Sequence, residues 1–242
     1  MRRAQGGARP PLGGRIGPGS HGLDRGEVRL KPLSGFREPF NAWSHLAGAA
    51  VAFPASIALV LSKGRDPAST AAYSLYGASL VFMLAASGLY HASQGSPRRI
   101  LLLRKLDHSA IYLLIAGTYS PFCLVAFSGF WKWGLFAAIW VLALAGIALK
   151  LFVMGLPRAV TTGIYLAMGW MSLFAGGQFR SALSPASLGW LVAGGLLYTA
   201  GALVYATKKL DFLPGRFGFH GLWHIFVLAA AGAHFVSVAS LG

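Results

Sequence analysis

The chain has 242 residues, 55% of them hydrophobic and only 11% charged, with a mean hydropathy of +0.60. A soluble domain carries about a quarter charged residues, so this composition excludes an ordinary water-soluble globule and points to a polytopic membrane protein. The formal charge of +15 comes from 21 Lys and Arg against six acids, and the basic residues flank apolar runs, which argues against a nucleic-acid-binding face.

Residues 1–37 are rich in Gly, Pro and Arg and lack an apolar core segment. They read as a disordered basic tail without a secretory signal, ahead of a transmembrane domain over 38–242. Stretches of about 20 mostly apolar residues, enough to cross a bilayer, follow at 41–62, 69–93, 107–127, 132–153, 159–180, 186–207 and 218–240. The fourth and fifth are divided by little more than Gly155 and Pro157, and fusing them would reduce seven spans to six. No internal repeat stands out, unlike the duplicated halves of many transporters. The single cysteine, Cys123, leaves no intrachain disulfide and reads as a small hydrophobe in a helix.

Basic residues set the expected direction. Of the 21, 17 fall in the tail and in the second, fourth and sixth links, whereas Lys63, Arg65, Lys132 and Arg180 fall on the other side. Cytoplasmic loops collect Lys and Arg, so the N-terminus is expected inside and the C-terminus outside. The predicted fold is therefore all-α, a seven-helix transmembrane bundle of that orientation.

In this arrangement span 2 ends near His91, span 3 starts at Asp107, and span 7 starts near His220 and His224. Glu38, Asn41 and His45 fall in the first turns of span 1. Polar residues from four spans thus gather at one depth, in the cytoplasmic leaflet. A lone histidine in a span serves more often as an interhelical hydrogen-bonding partner than as a ligand. Here His220 and His224, four residues apart, share a helix face, and His91 supplies a third imidazole. A catalytic zinc takes three protein ligands and keeps the fourth position for water, whose pKa it lowers to about 7. Asp107 is placed to accept a proton or hydrogen bond from that water, or alternatively to pair with Arg104 or Lys105. Ser87, one turn before His91, is placed to hold water or a substrate carbonyl. Glu38, Asn41 and His45 are candidates to support the ligands, or form only a polar helix start. His108 points elsewhere on its helix, and His234 lies about 15 Å deeper than His224, where a bond to a neighbouring helix is expected. His21 falls in the tail.

These residues also carry a family resemblance. "SGLYH" (Ser87 to His91), "LDHSAIYLLIAGTYSPF" (Leu106 to Phe122) and "HGLWHIFVLAAAGAHF" resemble the second-, third- and seventh-span motifs of the progestin and adipoQ receptor family. "EPFNAWSH", before span 1, is similar to its bacterial branch, the hemolysin III family. The resemblance runs from Glu38 to the C-terminus. It implies zinc ligands at His91, His220 and His224, polar partners at Ser87 and Asp107, the N-in, C-out bundle, and residence in the bacterial plasma membrane. The family also resembles alkaline ceramidases, which implies zinc-dependent hydrolysis of a lipid amide or ester. Three functions remain in view: such an enzyme, a receptor-like regulator of membrane homeostasis with structural zinc, and a hemolysin-like pore. Most spans are Leu, Ala, Val, Phe and Gly at mid-membrane, without the polar stripes of a channel, and this lowers the last.

Overall fold

A computed structural model describes residues 35–153, 155–212 and 217–241. Among these residues the chain is all-helical, with seven spans long and apolar enough to cross a membrane. They are α1 (Pro39–Lys63), α2 (Pro67–Ala92), α3 (Pro97–Pro121, continued by one π turn to Ala126), α4 (Gly129–Phe152), α5 (Arg158–Gly169), which runs through a 3-10 turn into α6 (Gly176–Ala182), α7 (Pro185–Thr207) and α8 (Phe219–Ala239).

Local chemistry starts these helices. Proline stands in the first turn of α1, α2, α3 and α7, where its missing N–H is no loss. Asp66 accepts from the N–H groups of Ala68 and Ser69, and Ser69 Oγ accepts in return from Asp66 N–H, a reciprocal cap on α2. Ser96 and Ser184 cap α3 and α7 in the same way with one hydroxyl each.

α2 and α3 form the centre, with most of their apolar windows buried, while the other spans turn broad faces outward. α1 packs on α2, α2 on α3, α3 on α4 and α7 on α8, and α8 returns against α1 and α3. Leu61, Phe130, Phe152 and Phe174 are almost fully exposed, an arrangement that only a hydrocarbon solvent makes favourable. Small residues let the central helices meet: a Cβ on Gly88 of α2 would stand 2.7 Å from Leu46 Cγ of α1.

Two spans differ from the sequence expectation. The third begins at Pro97, ten residues before Asp107, because the Ser96 cap and Pro97 start a helix that the basic residues had marked as a link. Asp107 therefore sits inside α3, about 15 Å from its start, and not at its foot. The fifth span is interrupted at Trp170–Ala175, next to Gly169, Gly176 and Gly177. Residues 1–34, which hold most of the basic tail and His21, lie outside the described residues.

Candidate metal centre

Each imidazole reaches the site from a helix end. His91 occupies the last turn of α2, and His220 and His224 the first two turns of α8, on one face. One ring nitrogen from each of the three lies within 4.8 Å of one from each of the others. Ring centroids are 5.0 Å apart for His91 and His220, 4.7 Å for His91 and His224, and 5.1 Å for His220 and His224. His91 and His224 are buried, each 1% exposed, and His220 is partly open. Nδ1 of His224 is buried without a hydrogen-bond partner among the described residues. Buried imidazole nitrogens are normally satisfied, so this donor set fits a cation that takes nitrogen ligands.

Glu38, at the N-cap of α1, holds the α2 end of the site. Its N–H donates to His91 O at 3.0 Å, and its Oε2 lies 2.8 Å from His91 Nδ1, close but off line for a hydrogen bond. The same oxygen accepts from Asn41 Nδ2 at 2.8 Å and lies 4.0 Å from His220 Nδ1. Burial alone would raise the Glu38 carboxyl, but His91, His220 and the Asn41 amide together hold it well below the usual carboxylate range. Glu38 is thus an anion set against an imidazole of the cluster, the arrangement that orients metal-binding histidines.

The remaining sequence candidates arrive at the same place. His45 is 2% exposed, its ring centroid is 3.9 Å from that of His224, and among the described residues neither of its nitrogens has a hydrogen-bond partner. Asp107 stands beside Ser87, within electrostatic reach of His91, with His108 Nδ1 3.4 Å from its Oδ2. His108 also bonds Arg104 O at 2.8 Å, and so neighbours Asp107 instead of pointing away from it. His234 bonds Leu191 O of α7 at 3.1 Å, as a structural histidine would.

Sequence reasoning missed the groups that frame the cluster. Arg37 Nε is 3.3 Å from Glu38 Oε1, its Nη2 donates to Tyr90 O at 3.0 Å, and its Cζ lies 4.2 Å over the Tyr90 ring. Arg37 had counted only as a tail charge. Tyr205 of α7 packs on His220 at 5.5 Å and carries the Arg158 guanidinium 4.6 Å above it. In sequence Tyr205 is one more aromatic in an apolar run.

All of this faces a cavity of about 2420 Å³. Its polar end holds Ser87, His91, Asp107, His220 and His224, and it continues between α3, α5 and α7 past Ile115, Leu166, Leu191 and Phe179.

Such a chain is a seven-helix integral membrane protein with a histidine cluster at one end of an internal cavity. The haemolysin-III related family model matches residues 34–235, and the chain belongs to that family. It is 38% identical over 200 residues to "Hemolysin-3" of Bacillus cereus, covering 82% of this chain and 88% of that one. It is 34% identical over 200 residues to the "Hemolysin-3 homolog" of Bacillus subtilis (strain 168), covering 82% and 91%. The "Adiponectin receptor protein" of Drosophila melanogaster is 28% identical over 241 residues, 87% of this chain and 54% of that protein. With its seven apolar helices and bacterial relatives, the chain is a multi-pass protein of the bacterial plasma membrane.

Proposed function

We propose that the chain is a zinc-dependent hydrolase of lipid amides or esters, working at the cytoplasmic end of its bundle. The observation that carries this reading is the junction of three converging imidazoles, Ser87 and Asp107 with a large, mostly apolar cavity. His91, His220 and His224 would hold the ion, which supplies a Lewis acid that polarises a carbonyl and acidifies water. Glu38 orients His91, and Asn41 fixes Glu38. Ser87 positions the carbonyl oxygen or the attacking water by hydrogen bonding. Asp107 takes the proton from the water and returns it to the leaving amine or alcohol. The apolar cavity takes the acyl chain and keeps bulk water out. The excess of basic residues at this end supports the inner leaflet as its location.

The test is release of fatty acid from a panel of lipid amides and esters by purified protein. Release should stop on chelation, return with zinc, and be lost in Asp107→Asn. A zinc-loaded protein that cleaves none of the panel overturns the enzyme and leaves the regulator. That second reading draws on the Drosophila relative, whose name is that of a receptor.

A further inference from the structure

The cavity that holds the histidines is also lined by two cations that no carboxylate of the described residues pairs with. Lys150, in the last turn of α4, lines the cavity although the residue is only 2% exposed. Its Nζ donates to Thr161 Oγ1 of α5 at 2.8 Å, and among the described residues it forms no ion pair with a carboxylate. Arg104 of α3, an exposed residue, lines the same cavity within Coulomb range of Lys150, and among the described residues its guanidinium has no carboxylate partner. The other two cations in the lining are engaged, Arg37 with Glu38 and Tyr90 and Arg158 with the rings of Tyr205 and Phe219. Of the three acids in the lining, Glu38 is engaged with Arg37 and His91 and Asp107 with His108, while Asp211 lies at the start of α8 against Gly218.

A buried ammonium with one hydroxyl partner and a like-charged neighbour is unfavourable unless an anion completes it. Arg104 stands three residues before Asp107, one turn nearer the start of α3 on the same face, a rise of about 4.5 Å. A lipid with its carbonyl at the histidines and its chain in the apolar cavity would bring its head group to this wall. We propose that Lys150 and Arg104 form an anion subsite that takes the phosphate of a net-anionic glycerophospholipid, one whose head group brings no cation of its own to this wall. Arg104 supplies a planar fork suited to two phosphate oxygens, and Lys150 a point charge with two donors left over. The inference rests on the hydrolase reading for its substrate class, but not for the subsite itself.

The test is a titration of the purified full chain in neutral detergent, read by tryptophan fluorescence. The probes are dioctanoyl phosphatidylglycerol, dioctanoyl phosphatidylcholine and inorganic phosphate. Wild type should bind phosphatidylglycerol about tenfold more tightly than phosphatidylcholine, because the choline cation of the latter is repelled by the two cationic side chains that hold the phosphate. Lys150→Gln with Arg104→Gln should abolish that preference while keeping zinc content and thermal midpoint. His220→Ala should lose the metal and keep the preference, so loss of the zinc reading would leave the subsite standing. Equal binding of the two lipids by wild type overturns the proposal. So does a preference that survives in the double variant, and so does inorganic phosphate binding as tightly as phosphatidylglycerol, which would make a free anion the ligand.

Discussion

At the scale of single residues, the site depends on three converging imidazoles and on the Glu38 carboxylate beside His91 Nδ1, and substitutions should separate these roles. Removing Glu38 as an anion, in Glu38→Gln, should weaken zinc binding by about 10–100-fold and leave the bundle folded, as measured by metal titration and thermal unfolding. Unchanged affinity would make Glu38 only a helix cap. Asp107→Asn should keep more of the metal and lose more of the activity, because Asp107 is assigned to proton transfer. His234→Ala should retain full metal, its bond being to Leu191 O at the far end of the helix. Much of this was legible in the sequence. Histidines four apart on one face, and a third at the end of another span, are one-dimensional signals of shared depth. Glu38, Asn41 and His45 were legible as polar residues in the first turns of span 1, but not what each touches. Arg37 and Tyr90 meet across 53 positions of chain, and Tyr205 reaches His220 only once α7 lies against α8. Such contacts follow from packing direction and leave no periodicity to read.

At the scale of elements, α1 and α2 place His45, His91 and Glu38 together only if they approach closely, and Gly88 permits it. Gly88→Leu would drive a side chain into Leu46. Overpacking of this kind costs about 1–3 kcal/mol, and here it should also displace α1 and release metal. Gly163→Ala, where nothing stands within 4 Å of the new Cβ, should leave both thermal midpoint and metal content unchanged. Retained metal in Gly88→Leu would show that α1 does not support the site. Six of the seven helix starts fall within three residues of the apolar runs read from sequence. The exception, α3, is physical in origin. Arg98, Arg99, Arg104 and Lys105 lowered the local hydropathy and made "SQGSPRR" read as a link, although Ser96 and Pro97 carried a helix start in plain view. The break in the fifth span has its signal in Gly169, Gly176 and Gly177, which only the structure turned into a 3-10 turn beside the cavity.

At the scale of the whole molecule, charge asymmetry and the histidine cluster make separate demands. A reporter fused after Gly242 should appear outside the cell and one placed at Gly95 inside, since 17 of 21 basic residues lie on the N-terminal side. The reverse pattern would move the site to the outer leaflet. Deleting Met1 to Arg29 should leave metal content unchanged, because it spares the Gly35–Glu38 segment bound to the end of α2 by Gln94, Arg37 and Glu38. The central claim is that one zinc is held by three histidines from α2 and α8. Its most direct test is elemental analysis of the purified protein and of His91→Ala. The wild type should carry about one zinc per chain, and the variant should lose most of it, because two ligands hold the ion weakly against water. A stoichiometric zinc retained in His91→Ala would contradict the account.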